Sequence, residues 1–369
     1  RRCQVSADLS GSPDDLGTET LCRFGDLRTV RRETEASPEG EELFQTLTTP
    51  MAILVLLMVS SATAQKAIQL KGHTGAVVQV AFAPSGRLLA SGGWDETVCL
   101  WDLAGGPPRH TLTEHTDWVL AVTFTPDGKR LLTASQRTVK AWDAATGVLL
   151  QNWKGLPGQR ISTLVFSRDG RQLACGLRDG GLLLYRLGPG SNLSAAPRIS
   201  LKAHNSWVDA IAFAYDGKTL ATGSRSGEIK IWTTGEGKLR ATPAGHAGLN
   251  AAALAFSPNG RQLASGSYDT TVKVWNPADG KELATLKGHK GIVLAVAFSA
   301  DSLRLASGER HGPIKLWGTK DFKLETTLPG HSGGQLGFSV HSLSFAPDGK
   351  QLASGGRDRL VKLWKVVGN

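Results

Sequence analysis

Histidine, serine and aspartate residues recur along the chain in sets that could perform acyl-transfer chemistry. One set is His246, Ser265 and Asp269, followed by Trp275. Serine hydrolases place a serine hydroxyl beside a histidine that a carboxylate orients, so that the hydroxyl can attack a carbonyl carbon. Two further sets have the same order, namely His73, Ser91, Asp95 with Trp101, and His331, Ser354, Asp358 with Trp364. A catalytic site needs one such set and not three at equivalent places, so the sequence favours a structural role for all three.

The aromatic residues that close these sets reveal a repeat that extends over most of the chain. They recur at intervals of 41, 43, 47, 43, 42 and 47 residues, at Trp101, Trp142, Tyr185, Trp232, Trp275, Trp317 and Trp364. A phenylalanine precedes each of them, at Phe82, Phe124, Phe166, Phe213, Phe256, Phe298 and Phe345. Tight turns and short alternating strands such as 271–275 fill the intervals. A period of about 40–45 residues is the length of one propeller blade, so the pattern predicts seven blades.

Gly-His and Trp-Asp pairs occur in phase with this period, as in Gly72-His73, Gly245-His246 and Trp101-Asp102. In these pairs the chain resembles the WD40 repeat family over about residues 66–369. The resemblance implies an all-β fold, a seven-bladed β-propeller of four-stranded antiparallel blades, here numbered 1 to 7 by their closing aromatic residue. Residues 366–369 are too few for a last strand. We therefore expect the N-terminal strand, residues 66–71, to complete the last blade and close the ring.

The resemblance also implies a role for the three sets, which in this family are structural tetrads. Asp holds His, His bonds Ser, and Ser bonds the indole N–H, so that a buried polar network stiffens the blade. The other blades depart from the pattern. Blade 2 has His115 and Thr133 but lacks the Asp, blade 3 has Pro157, Cys175 and Tyr185, and Ser226 and His311 replace the Asp in blades 4 and 6. We expect these blades to be locally weaker, and blade 3 to be the weakest.

A ring of arginine and aromatic residues is predicted at one end of the propeller. In the WD40 family the narrower, top face carries the loops before the first strand and between the second and third strands of each blade. The residue before the tetrad Asp position lies there, and Trp118 and Trp207, which follow His115 and His204 by three residues, should lie near the same rim, with His341. Arg, Trp and Tyr are enriched in binding hot spots. The predicted partner-binding residues are Trp94, Trp118, Arg178, Trp207, Arg225, Tyr268, Arg310 and Arg357. The alternative is that arginine merely suits a tight turn.

The charge balance favours acidic partners, whereas no motif indicates a cofactor. Residues 1–64 carry 6 Lys and Arg against 10 Asp and Glu, and residues 65–369 carry 36 against 22. Such a basic balance suits acidic proteins, anionic polysaccharide or nucleic acid. The four cysteines form no Cys-x-x-Cys pair and no zinc-like cluster with histidine. We therefore expect no metal and no cofactor.

The first sixty-four residues do not share the repeat pattern. Residues 1–50 are polar and without periodicity, which predicts a disordered or non-native extension. Residues 51–64 begin with Met51 and a short apolar run and end in Ala62-Thr63-Ala64, as a signal peptide and its cleavage site do, although no Lys or Arg precedes the run. This predicts an exported protein of bacterial type, periplasmic or secreted, with residues 65–369 as the propeller. Without export the protein would be cytoplasmic.

Three functions compete at this point. The leading hypothesis is a non-catalytic, monomeric scaffold that binds proteins or peptides through the top face. The second is a binder of an anionic polymer, acidic polysaccharide or nucleic acid, through the same basic and aromatic rim. The third and most remote is an enzyme with its site at the channel mouth, which no residue set outside the tetrads supports.

Overall fold

The computed structural model describes residues 66–154, 156, 161–188, 196–331 and 339–366. All of them belong to the compact unit of residues 61–369. The predicted extension of residues 1–50 and the predicted signal peptide of residues 51–64 lie outside the described residues, and both stay predictions. The described residues form strands and turns without a helix, and so none of them forms a helix that could cross a membrane.

Twenty-eight strands, numbered in chain order, form seven separate four-stranded antiparallel sheets. The first strand of each sheet contacts the first strands of the two neighbouring sheets, so these seven strands form a closed inner ring. The innermost strands are β2 (Val77–Phe82), β6 (Val119–Phe124), β10 (Ile161–Phe166), β14 (Val208–Phe213), β18 (Ala251–Phe256), β22 (Val293–Phe298) and β26 (Val340–Phe345). The prediction of a seven-bladed β-propeller is confirmed, and each innermost strand ends at one of the predicted phenylalanines.

The second and third strands of each blade carry the tight turns and alternating segments that the sequence indicates. The second strands are β3 (Leu88–Gly93), β7 (Arg130–Ser135), β11 (Gln172–Leu177), β15 (Thr219–Ser224), β19 (Leu263–Ser267), β23 (Arg304–Glu309) and β27 (Gln351–Gly356). The third strands are β4 (Val98–Asp102), β8 (Thr138–Asp143), β12 (Gly181–Arg186), β16 (Ile229–Thr233), β20 (Val272–Trp275), β24 (Ile314–Gly318) and β28 (Leu360–Lys365). The closing aromatic residues lie on the third strands, where they are buried.

The outermost strands are more exposed than the other three, and all but β9 are shorter than the innermost strand of their blade. They are β5 (His110–Leu112), β9 (Leu149–Lys154), β13 (Ile199–Lys202), β17 (Leu239–Ala241), β21 (Glu282–Leu286), β25 (Leu324–Leu328) and, in blade 7, β1 (Ile68–Lys71). Strand β1 pairs antiparallel with β28, with Leu70 opposite Val361. The predicted closure of the ring by the N-terminal strand is therefore confirmed, and Leu70 is fully buried.

The hydrophobic core lies between neighbouring blades. One cluster joins Val98 and Leu100 of blade 1 to Phe124 and Trp142 of blade 2, and another joins Leu70 and Val361 of blade 7 to Trp101 of blade 1. Each blade therefore buries one face against the next, as short sheets must when they have no helix to pack against. The innermost strands enclose a central channel of about 780 Å³.

Candidate functional site

The three Ser-His-Asp sets form closed hydrogen-bond chains inside their blades. In blade 5, His246 Nδ1 lies 2.7 Å from Asp269 Oδ2, and His246 Nε2 lies 2.8 Å from Ser265 Oγ. The indole N–H of Trp275 donates to the same Ser265 oxygen over 2.8 Å. Ser265 is completely buried, so a substrate carbonyl cannot reach its hydroxyl. The arrangement is a satisfied structural network and not an accessible nucleophile.

Blades 1 and 7 repeat this geometry. His73 bonds Asp95 at 2.9 Å and Ser91 at 2.7 Å, and Trp101 donates to Ser91 at 2.8 Å. In blade 7, His331 bonds Asp358 at 2.7 Å and Ser354 at 2.8 Å, and Trp364 donates to Ser354 at 2.9 Å. Ser91 and Ser354 are as fully buried as Ser265.

The expectation that blades 4 and 6 lack an acidic partner for histidine is wrong. His204 Nδ1 lies 3.1 Å from Glu228 Oε2 in blade 4, and His289 Nδ1 lies 2.6 Å from Glu309 Oε2 in blade 6. Glu228 stands two residues after the usual Asp position, and Glu309 stands two residues before it. The extra methylene of glutamate lets a carboxylate reach the histidine from either neighbouring position. Alignment at a fixed offset misses both.

Blade 2 keeps the network without a carboxylate. His115 Nε2 bonds Thr133 Oγ1 at 2.7 Å, Trp142 donates to the same oxygen at 2.8 Å, and His115 Nδ1 lies 3.2 Å from Thr138 Oγ1. Blade 3 differs more, because the buried Cys175 and Tyr185 occupy the Ser and Trp positions. Burial raises the pKa of the Cys175 thiol, so this cysteine is inert. Pro157, at the His position, lies outside the described residues.

Five of the predicted partner-binding residues share one backbone contact at one end of the propeller. Each follows the second strand of its blade and donates its N–H to the carbonyl of the residue just before the innermost strand. These residues are Trp94, Arg225, Tyr268, Arg310 and Arg357, with Ala76, Trp207, Asn250, Ile292 and Ser339 as acceptors. Trp118 directly precedes β6 as Trp207 directly precedes β14, and Arg178 directly follows β11. The eight residues therefore lie at the end where the innermost strands begin, which is the top face.

Two tryptophans and a histidine form an aromatic cluster where blades 7, 1 and 2 meet. The rings of Trp94 and Trp118 stack with their centroids 5.2 Å apart and their planes 26° apart. The imidazole of His341 lies 5.9 Å from the Trp94 ring. Trp94 is 37% exposed and Trp118 is 44% exposed, so the stack offers apolar surface to a partner. Stacking also fixes both rings before any partner binds, which lowers the entropic cost of binding.

A second cluster on the top face joins blades 3, 4 and 5. The guanidinium carbon of Arg225 lies 3.6 Å from the ring centroid of Trp207, and that of Arg178 lies 4.9 Å from the same centroid. Arg225 Nε also forms an ion pair of 3.1 Å with Asp209 Oδ2, to which the Asn250 side-chain amide donates at 2.8 Å. The charge of Arg225 is therefore already compensated by a carboxylate of the protein.

Tyr268, Arg310 and Arg357 complete the predicted set without joining either cluster. Their side chains make no hydrogen bond or ion pair with any described residue. Tyr268 is 43% exposed, Arg310 is exposed and Arg357 is half-buried. His341, which the sequence placed at the rim, has a buried Nε2 atom without a hydrogen-bond partner among the described residues. Burial, and then the charge of Arg357, lower the pKa of His341 to about 4, so the imidazole is neutral at pH 7.

Asp209 and Asn250 were not among the residues predicted from the sequence. Asp209 occupies the second position of an innermost strand, the position that lines the channel near the top face. The equivalent residues are Val78, Leu120, Ser162, Ala252, Leu294 and His341. A carboxylate at a position where the other blades have mainly apolar residues needs a partner. The Asp at this position was the signal available in the sequence.

The opposite end of the channel carries one comparable pair. The guanidinium carbon of Arg168 lies 4.1 Å from the Tyr215 ring centroid, and Tyr215 is 40% exposed. Both residues follow the phenylalanine that ends an innermost strand, and both line the channel. No three His, Cys, Asp or Glu side chains of the described segments gather where they could hold a metal ion.

Comparison with known families assigns the repeats. The family described as "WD domain, G-beta repeat" matches six stretches, at residues 64–102, 106–143, 196–233, 237–276, 280–317 and 322–365. These stretches leave out residues 144–195, which contain the three inner strands of blade 3. That blade is the one in which Cys175 and Tyr185 stand at the Ser and Trp positions.

Similar proteins match the chain over about a third of its length. The small ribosomal subunit protein RACK1z of Oryza sativa subsp. japonica is 34% identical over 124 residues, which cover 32% of this chain and 37% of the relative. The small ribosomal subunit protein RACK1 of Drosophila melanogaster is 29% identical over 171 residues, covering 34% of this chain and 54% of the relative. Periodic tryptophan protein 2 of Arabidopsis thaliana is 34% identical over 135 residues, which cover 34% of this chain and 15% of the relative. The chain thus spans little more than half of these relatives at most.

Proposed function

This chain belongs to the WD-domain, G-beta repeat family, and from that premise we propose that it is a non-catalytic scaffold that binds proteins or peptides through its top face. The observation that carries the proposal is the stacked pair of Trp94 and Trp118, with His341 beside it. Large aromatic side chains that stay partly exposed and are already held in one conformation are typical binding hot spots. The similarity to the RACK1 proteins supports the proposal at the level of the family.

The tetrads support a scaffold over an enzyme. The three serines that sequence order makes candidate nucleophiles are completely buried, and their oxygens are occupied by histidine and tryptophan. A nucleophile must be able to approach the substrate carbonyl at close range. Rigid blades of this kind instead hold a fixed rim on which partner-binding residues keep their positions.

The test is a pair of double variants that differ only in the end of the channel that they alter. W94A/W118A removes the aromatic stack, and R168A/Y215A removes the comparable pair at the opposite end. Wild type and both variants are used for affinity capture from an extract of the source cells, with quantitative mass spectrometry and a thermal unfolding control. A hot-spot aromatic residue contributes about 2 kcal/mol or more to the free energy of binding. W94A/W118A is therefore expected to bind the partners of wild type at least ~30-fold more weakly.

The opposite-end variant R168A/Y215A is expected to capture the same partners as wild type. Unchanged capture by W94A/W118A at an unchanged unfolding temperature would contradict the proposal. So would a loss of partners confined to R168A/Y215A, because that result would place binding at the other end of the channel.

A second candidate function, binding of an anionic polymer, rests on the 36 basic against 22 acidic residues in 65–369. Its distinguishing property is salt dependence. Affinity for a polyanion falls steeply as salt rises, because the protein releases counterions that the polymer had bound. A partner held mainly by the aromatic stack would show a much weaker dependence on salt.

A further inference from the structure

The arginines of the top face are not equivalent, because only some of them have a partner within the protein. Arg225 pairs with Asp209 and covers the Trp207 ring. Arg310 and Arg357 have neither an ion pair nor a ring contact with any described residue. A guanidinium group carries five N–H donors and stays charged at every physiological pH. Two guanidinium groups on one face that have no partner among the described residues can therefore bind an anion.

The backbone brings Arg310 and Arg357 to the same place although they belong to different blades. Arg310 forms an isolated antiparallel bridge with Ser339. Arg357 donates its N–H to the Ser339 carbonyl over 3.0 Å. The backbones of both arginines therefore lie beside Ser339. This residue directly precedes β26 and stands two residues before His341. The charges of Arg357 and Arg310 also act on the His341 imidazole, where they add to burial in lowering its pKa.

The carboxylates nearest in sequence to these arginines are already used. Glu309, next to Arg310, is buried and bonds His289 at 2.6 Å. Asp358, next to Arg357, bonds His331 at 2.7 Å, and only 2% of its side chain is exposed. The segment 332–338, which is outside the described residues, contains no Asp or Glu in its sequence. No carboxylate of the described residues therefore pairs with either arginine, and the neighbouring segment supplies none.

We propose that Arg310 and Arg357 form a carboxylate-binding subsite of the top face, and that its occupant is an acidic peptide segment whose neighbouring apolar side chain packs on the Trp94–Trp118 stack. This inference rests on the proposed function and assigns the class of ligand. Arginine binds a carboxylate through two parallel hydrogen bonds, which fixes its orientation as well as its position. His341 links the two halves of the subsite, since it lies 5.9 Å from Trp94 and within the field of both arginines.

A short peptide fits this arrangement better than an anionic polymer does. A polymer would need a continuous path of free positive charge around the rim. Asp209 interrupts that path, because it neutralises Arg225 and also accepts a hydrogen bond from Asn250. The free charge is therefore local, and it lies beside exposed apolar rings. A peptide with one or two carboxylates next to an apolar residue matches both features.

The experiment selects random twelve-residue peptides displayed on phage against the full-length chain and measures the selected peptides as synthetic probes. We expect them to be enriched in Asp or Glu beside an aromatic or aliphatic residue. We expect R310A and R357A each to weaken binding by roughly tenfold or more, because each removes a charged hydrogen-bond donor. R168A, which removes an arginine at the opposite end of the channel, is the matched control, and we expect it to change affinity by no more than about twofold. R225A is measured beside it as a further top-face variant. Replacing the peptide's Asp or Glu by Asn or Gln should reproduce the effect of R310A.

Several outcomes would overturn the inference. Selected peptides without a carboxylate, or peptides that bind R310A and R357A as tightly as wild type, contradict the arginine subsite. If binding is lost in W94A/W118A or R225A but not in R310A and R357A, the inference fails while the proposed function stands. If every top-face variant binds as wild type does, both fail. The assignment of a peptide as the ligand is contradicted if the selection yields no binding peptide. It is also contradicted if heparin binds instead and its binding depends on Arg310 and Arg357.

Discussion

Glu228 and Glu309 perform the same task in environments of different polarity. Each accepts a hydrogen bond from the histidine of its blade, yet 47% of the Glu228 side chain is exposed and only 5% of the Glu309 side chain. The distance from histidine Nδ1 to the carboxylate is 3.1 Å for the exposed Glu228 and 2.6 Å for the buried Glu309. A hydrogen bond between charged or polar groups contributes more where water cannot replace it. The two glutamates therefore offer a matched comparison of the network within one protein.

We predict that Glu309→Gln destabilises the protein more than Glu228→Gln. The first change weakens a buried contact and is expected to cost about 1.5–3 kcal/mol. The second changes a contact that solvent screens, and its cost is expected to stay below about 1 kcal/mol. The midpoints of urea unfolding curves measure both. Equal costs, or a larger cost for Glu228→Gln, would contradict the idea that Glu309 replaces the missing Asp of blade 6.

The histidines of blades 1 and 2 differ in charge because their neighbours differ. Burial lowers the pKa of His73, but the hydrogen bonds and charges of Asp95 and Cys99 together outweigh burial and raise that pKa to about 9. For His115, burial and then the charge of Lys140 lower the pKa to about 3, and blade 2 has no carboxylate at this place. Lys140 stands two residues before its strand tryptophan, where blade 1 has Cys99.

The predicted pH dependence has opposite signs in these two blades. Because the pKa of His73 is raised above the unfolded value of 6.5, its contribution to stability is complete below pH 6.5 and is lost as pH rises through about 9. Because the pKa of His115 is lowered, its contribution is complete above pH 6.5 and is lost as pH falls toward about 3. Nitrogen-15 NMR of the imidazole rings should show His73 protonated and His115 neutral at pH 7.5. In Asp95→Asn, His73 should become neutral, and a neutral His73 in the wild type would refute the assignment.

The sequence predicted the tetrads but could not predict every acid in them or every partner on the rim. Ser91, Asp95 and Trp101 recur at the same spacing in blades 5 and 7 because the second and third strands of these blades are equivalent. Glu309 is found at another offset because a longer side chain can reach one target from a different strand position. Asp209 pairs with Arg225 of its own blade and with Asn250 of the next, which only the closed ring brings together. This contact between blades does not recur with the period of the repeat.

Glycines set how closely the sheets pack at the scale of the blade. The penultimate residue of the second strand faces the first residue of the next innermost strand. At Gly266 an added Cβ would lie 2.6 Å from Val293 Cγ1, and at Gly355 it would lie 2.6 Å from Val77 Cγ1, across the seam that closes the ring. Blade 2 instead has Ala134 at this place, so its seam with blade 3 already accommodates a methyl group.

We predict that Gly266→Ala destabilises the propeller by about 1–3 kcal/mol, because the new methyl group overpacks a buried seam. Gly235→Ala is the control, since the Cβ of this glycine would have no atom of the described chain within 4 Å, and its φ is not in the left-handed region. It should change stability by no more than about 0.5 kcal/mol. Guanidinium unfolding curves compare the two. A neutral Gly266→Ala would mean that the blades pack less tightly than their core clusters indicate.

The elements themselves were predictable because their signals are local. Phenylalanine ends the innermost strands and an aromatic residue closes the third strands, so seven copies of each define the blades. The completion of blade 7 by β1 also followed from the sequence, because residues 366–369 are too few for a last strand. Blade 3 was expected to be the weakest, and it is also the blade that the family repeats leave out.

At the scale of the whole molecule, the seven blades are similar in fold, but the residues on their top face are not uniform around the ring. The half formed by blades 3, 4 and 5 is internally paired through Trp207, Arg225 and Asp209. The half formed by blades 6, 7, 1 and 2 carries the exposed tryptophan stack and the two arginines that have no partner in the described part of the chain. The repeat alone would place equivalent residues on every blade. The half with the exposed stack and the two arginines differs from that pattern, and so it is the candidate docking surface.

The most direct test of this account is hydroxyl-radical footprinting of the chain with and without a captured partner or selected peptide. Oxidation of Trp94 and Trp118, which are 37% and 44% exposed, should fall when the partner binds. Oxidation of Tyr215, which is 40% exposed at the opposite end of the channel, should stay the same. Protection of Tyr215 with unchanged oxidation of both tryptophans would contradict binding through the top face.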